Sequence, residues 1–264
     1  MPMLGTRKNI TVGKNQLSYI ELANDSSQPV ILFLHGWGGS AESFQTLMTE
    51  LNNQLSTHRH LIALDLPGFG ESAPPLQAWS VADYSSCVVK YIEALSIGQV
   101  DLVVHSFGGR IATKLLNDRP DLVRKIAYLA PAGIRGNLEY IASRESRASR
   151  IKKLFQFPLL RPLFPIVRKI GYKAIGGNDY IILDGVMKET FSLVTQEDLT
   201  ALLPNVQHPT EIFWGRHDSY VPVSDGEYMT KVMKQANLTI FEDGRHGIHR
   251  THATQIANRL KSFL

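Results

Sequence analysis

Ser106 stands at the end of an apolar run, Val100-Asp-Leu-Val-Val-His105, and is followed by Phe107-Gly108-Gly109-Arg110 and a helical stretch through Leu116. The run reads as a buried strand, and the two glycines leave room for the chain to double back. A serine at such a turn is held out from the backbone, where its hydroxyl attacks a carbonyl once a base takes the proton. Taken alone, the same serine would serve as a plain helix cap. The chain also carries partners for the chemistry. Three imidazoles, His246, His249 and His252, follow the apolar run Asn237–Phe241, and Asp218 sits in the turn Gly215-Arg-His-Asp218-Ser-Tyr-Val-Pro222. A histidine to move the proton and an acid to orient it are what a serine nucleophile needs.

A second buried strand, Pro29–Leu34, runs into His35-Gly36-Trp37-Gly38-Gly39. A glycine-rich turn after a strand lets backbone N–H groups point into a cavity and hold the negative oxygen of a tetrahedral intermediate. The amides of Trp37 and Phe107 are the expected donors. The Trp37 ring reads as a core or cleft-wall aromatic, and His35 as a strand-end histidine bonded to local backbone rather than a base.

Taken in order, His35-Gly-Trp-Gly-Gly39, Asp65-Leu-Pro-Gly-Phe-Gly-Glu-Ser72 and His105-Ser-Phe-Gly-Gly109 resemble the motifs of the α/β-hydrolase superfamily. The likeness extends from about Lys8 to Leu264 and is weakest between Ile134 and Asn205. It departs from the family at Val104, where Gly-x-Ser-x-Gly has its first glycine, and at Arg245, where a glycine precedes the family's histidine. The resemblance implies the order Ser, Asp, His, with the acid after one of two late strands. Ala130-Pro131-Ala132 offers no acid after the first, so the implied acid is Asp218, after the second. The implied histidine is His246, leaving His249 and His252 as helix-terminal polar residues and His217 as a rim residue. Asp65 is implied to be architectural. Segments 171–180 and 185–191 are similar to a group of uncharacterised bacterial hydrolases.

These residues need a frame that brings them together. With 264 residues and 44% hydrophobic content, the chain is long enough for one α/β unit with a large core. The strands above, together with His60–Leu64, Lys125–Leu129 and Thr210–Trp214, alternate with helix-like stretches at Glu42–Leu55, Val81–Leu95, Phe107–Asn117, Val223–Gln235 and Thr251–Leu264. That rhythm predicts a mostly parallel, twisted sheet with helices on both faces. Lys8–Val12 and Gln16–Leu22 read as an antiparallel hairpin. The expected division is a core of residues 1–133 and 206–264 with a helical lid of residues 134–205 inserted in it.

Charge is concentrated in that insertion. Between Arg135 and Lys173 lie ten basic residues against two acids, although the whole chain carries only +4. Such asymmetry fits a lid that packs its apolar side chains on the main domain and leaves its basic groups in water, an anionic or amphiphilic small-molecule substrate, or contact with an acidic membrane surface. No nucleic-acid-binding signature accompanies it. The single cysteine, Cys87, fits packing in an amphipathic helix and a reducing compartment, and no secretory signal opens the sequence, so the expected location is the cytoplasm. The expectation is a serine hydrolase acting on ester-like bonds through an acyl-enzyme, with no metal or organic cofactor. Thioester, lactone and vinylogous carbon–carbon cleavage would use the same residues. A non-catalytic binding module and a peripheral membrane protein are the readings from other classes.

Overall fold

Short apolar runs bounded by glycine, proline and polar turns form the strands. In the computed structural model, which describes residues 5–24, 27–56, 59–134 and 185–264, they are β1 (Thr6–Val12), β2 (Asn15–Leu22), β3 (Val30–Leu34), β4 (Leu61–Leu64), β5 (Val100–His105), β6 (Val123–Leu129), β7 (Thr210–Gly215) and β8 (Ala236–Phe241). They make one sheet in the order β1-β2-β4-β3-β5-β6-β7-β8. The hairpin β1–β2 is antiparallel, β2 meets β4 antiparallel, and every later pairing is parallel.

Side chains alternate between two separate cores, as the two-residue period of a strand requires. Leu32, Leu34, Leu102 and Val104 face one, and Ile31, Phe33, Val103 and Ala127 face the other. The first core is covered by α2 (Val81–Leu95), α3 (Phe107–Asp118) and α5 (Val223–Val232), the second by α1 (Gln45–Gln54), the short α6 (Ile248–Thr251) and α7 (Ala253–Phe263). Helix α7 buries Ala253, Ile256, Ala257 and Leu260, the i, i+3, i+4, i+7 stripe of an amphipathic helix. Each large apolar side chain so buried contributes about 1.5–3 kcal/mol. Cys87 is buried in α2, and burial pushes its thiol up to about 11, in keeping with packing.

Three helix boundaries differ from expectation by three residues. The stretch expected from Glu42 opens as a 3-10 turn, Ala41–Phe44, and α1 begins at Gln45. The last helical stretch begins at Ile248, three residues early, and breaks at His252, whose ring bonds Asp243 and the Thr251 hydroxyl. Helix α5 stops at Val232 because Met233 turns extended on the way into β8.

The end of the expected lid is helical. Helix α4 (Gly185–Gln196) is followed by a 3-10 turn, Thr200–Asn205. Val194, Leu199, Leu203 and Val206 join the first core, so this end is packed into the main body. The basic stretch from Arg135 to Lys173 lies outside the described residues. No described helix is long and apolar enough to cross a membrane.

Candidate active site

Because β3, β5, β7 and β8 run parallel, the turns that follow them open at one edge of the sheet, where open α/β sheets place their ligands. The turn after β5 is the sharpest. Ser106 has φ 49° and ψ −109°, a conformation that costs an L-residue on the order of 1–3 kcal/mol and is kept only where the surroundings impose it. They do so here by close approach. A Cβ on Gly108 would lie 2.2 Å from the Leu34 carbonyl oxygen, and one on Gly109 2.5 Å from Pro131 Cβ. The Gly108 N–H donates to the His35 carbonyl at 3.1 Å, and the Ala132 N–H to the Ser106 carbonyl at 3.0 Å. Val104 is wholly buried in the first core, between Leu34 and Tyr128 of the neighbouring strands. Ser106 precedes α3, yet its side chain caps nothing, which removes the plain helix-cap reading.

The hydroxyl instead meets an imidazole. His246 Nε2 lies 3.0 Å from Ser106 Oγ, and His246 Nδ1 lies 2.7 Å from Asp218 Oδ2. With Nδ1 facing a carboxylate, the proton of the neutral ring belongs there, and Nε2 is left to accept from the serine. Asp218 Oδ1 accepts from the N–H groups of Tyr220 at 2.8 Å and Val221 at 3.0 Å, and the carboxylate is closed to solvent. Its geometry is therefore set by main chain. The loops carrying the acid and the histidine touch through Gly215, where a Cβ would lie 2.4 Å from the Gly244 carbonyl carbon, and through the His217 N–H, 2.9 Å from the Gly244 carbonyl. Gly244 makes this approach while Arg245 is exposed, which explains how arginine is tolerated before the histidine.

The competing histidines have other partners. His35 is fully buried, donates from Nδ1 to the Gly36 carbonyl at 2.7 Å and accepts from the Leu66 N–H at Nε2, 3.0 Å away. Both nitrogens are spent on local backbone, and burial lowers its pKa further. His249 is buried against Phe44 and His105, and burial, with Arg250 nearby, lowers its pKa to about 3. His252 holds Asp243, and the His217 side chain is exposed. Asp65, also buried, receives the Ala41 and Glu71 N–H groups and Arg7, an architectural role.

Trp37 and Phe107 flank the seam between the β3 and β5 turns, and among the described residues neither backbone N–H has a protein acceptor. The Trp37 ring packs edge-on against Phe69 at 4.8 Å, Phe107 at 5.2 Å and Phe191 of α4 at 5.0 Å. Sequence reading missed Phe69, Phe191 and Tyr220, whose ring stacks on His246 at 4.8 Å and 26°. These contacts join separate loops and helix α4, so no spacing announces them.

Residues 29–165 match the family model described as alpha/beta hydrolase fold, and the chain belongs to that family. It is 27% identical to the dihydrolipoyllysine-residue acetyltransferase component of the acetoin cleaving system of Pseudomonas putida, over 96% of this chain and 68% of that protein. It is 25% identical to a pimeloyl-(acyl-carrier protein) methyl ester esterase of Neisseria meningitidis, over 89% of this chain and 92% of that protein. Its fold is like that of an esterase from Exiguobacterium antarcticum, with a TM-score of 0.73 and 20% identity over 98% of both chains. The family is that of the alpha/beta hydrolases, and its relatives include an esterase and a hydrolase alongside the acetyltransferase component.

Proposed function

We propose that this chain is a serine hydrolase that cleaves ester bonds of small or medium-sized carboxylic esters through an acyl-enzyme. The observation that carries the reading is the hydrogen-bonded row from Asp218 through His246 to Ser106. In the first half-reaction Ser106 Oγ attacks the ester carbonyl while His246 Nε2 takes its proton. Asp218 holds the Nδ1–H tautomer and stabilises the imidazolium. The carbonyl oxygen becomes an oxyanion held by the Trp37 and Phe107 N–H groups, which contribute without reorganising as the charge develops. The tetrahedral intermediate collapses, the C–O bond breaks, and the alcohol leaves with the proton from His246. Water then attacks the acyl-serine with His246 as base, releasing the acid and restoring Ser106. Every proton is handled by side chains of this chain, and the scheme calls for no metal or organic cofactor.

Residues 134–205 are the lid in this reading. Its described end supports that role, since Met187 and Phe191 of α4 lie against Gly68 and Trp37 beside the serine turn. The aromatic group of Trp37, Phe69, Phe107 and Phe191 would form an apolar wall for the acyl chain. The basic run from 135 to 173 favours a substrate with a negative charge or an amphiphilic character, and a cytoplasmic location agrees with a single buried cysteine.

The test is a panel of nitrophenyl esters of increasing chain length, with a thioester and a vinylogous diketone alongside, run on wild type and Ser106→Ala. Turnover of an ester should fall by about 10⁶ in the variant, as when a triad serine is removed elsewhere. A loss of only a few fold would mean that another group attacks. Preference for the thioester or the diketone would keep the residues and change the bond.

A further inference from the structure

We propose that His105 is a positioning residue that locks together three of the four turns of the site, those after β3, β5 and β8, an inference resting on the serine-hydrolase reading. Its backbone leads directly into Ser106. Its Nε2 lies 3.0 Å from the carbonyl oxygen of His246. A carbonyl oxygen only accepts, so Nε2 carries the hydrogen and, in the neutral ring, Nδ1 is bare. That bare edge faces the third loop: a Cβ on Gly36 would lie 2.8 Å from His105 Nδ1. The segment delivering the Trp37 amide thus passes the ring at a distance that only glycine permits.

The ring contacts complete the arrangement. His105 lies 4.8 Å from the His246 ring at 49° and 4.1 Å from the His249 ring at 42°. The His246 imidazole is consequently held from two directions, by Tyr220 on its solvent side and by His105 from within. The bond to the His246 carbonyl does what stacking cannot. It fixes the peptide plane from which the imidazole projects, and with it the distance from Nε2 to Ser106. A displacement of about 1 Å in a reacting group can cost on the order of 10²-fold in rate. Burial, with His249 and His246 adding to it, holds the His105 pKa well below its usual value, so no fixed positive charge opposes the imidazolium that forms on His246.

The experiment compares His105→Phe, which keeps a ring and loses the donor, with His105→Gln, whose amide N–H reaches the place of Nε2–H. Turnover of the best ester and the rate of Ser106 labelling by a fluorophosphonate are measured, each normalised to folded protein by circular dichroism. His105→Phe should lose about 10–100-fold in kcat with KM within about twofold, and labelling should slow by the same factor. His105→Gln should recover to within about fivefold of wild type. Should His105→Phe not fold, His105→Asn, whose amide is too short to reach His246, takes its place. If the Gln variant loses as much as the donor-free variant, or if both match wild type, the bond positions nothing and the inference is overturned. Folded wild type inert to both ester and probe overturns the serine-hydrolase reading itself and carries this inference with it.

Discussion

Two buried carboxylates lie near opposite ends of β5, Asp101 on the strand itself and Asp218 on the turn after β7, and they are built in opposite ways. At the amino end, Asp101 is wholly buried and takes Arg59 at 2.6 Å and Arg124 at 2.8 Å. The same guanidinium groups go on to main-chain carbonyls, Arg59 to Pro29 at 3.1 Å and both to Leu264, at 3.0 and 2.8 Å. Those donors are spent on fixed acceptors, so the cluster ties β5 to the last residue and has nowhere to pass a proton. At the carboxyl end, Asp218 is equally closed to solvent, but only one of its oxygens is spent on main chain. The other begins a row that ends on a serine hydroxyl, a group able to form a new bond. Burial alone therefore does not mark a reactive carboxylate. What distinguishes the site is a chain of partners with a free chemical end.

The comparison can be broken most forcefully at the carboxyl end. His246→Ala should lower kcat by about 10⁶ while thermal unfolding stays within a few degrees of wild type. His249→Ala should stay within a few fold per folded molecule. Steady-state kinetics on the best ester would show the reverse order if His249 were the base. At the amino end the effects should trade places. Asp101→Ala leaves Arg59 buried without its counter-charge and should cost about 3–5 kcal/mol in urea unfolding, with kcat per folded molecule unchanged. A matching loss of kcat would show that the two ends of the strand are not independent.

A smaller effect sits on α5. Asp225 on α5 is buried, and burial, with the Asp198 carboxylate adding repulsion, raises its pKa from 3.8 to about 7. The folded protein keeps a proton that the unfolded chain gives up above about pH 4. Its contribution to stability is thus full below 3.8 and is lost as pH rises through about 7. Asp225→Asn should raise the Tm by a few degrees at pH 8 and leave it unchanged near pH 4. A difference that does not vary with pH would contradict this account of Asp225.

Most of the frame was legible because parallel strands buried on both faces are continuous apolar runs. Helix α2 was read to its first and last residue, and there Ser80 and Asp83 form a reciprocal capping box. The break at His252 was not legible, since it depends on a bond to Asp243 across a turn. Ser106 stood out by its turn, Asp218 and His246 were picked from their competitors by the order that the resemblance implies, and the structure places the three side chains in one row. The departures at Val104 and Arg245 were legible as departures only. Their tolerance depends on a buried β-branched side chain at one position and on Gly244 taking over the close approach at the other. His105, Tyr220 and the aromatic wall act through contacts between segments far apart in the chain, which leave no period in the sequence.

The most direct measurement is the intact mass of the folded protein after treatment with a fluorophosphonate. A single adduct mapping to Ser106 is expected, absent in Ser106→Ala and formed far more slowly in His246→Ala. An adduct on a different residue, or folded wild type that takes up none, would contradict the central claim that Asp218, His246 and Ser106 work as one proton-relaying nucleophile.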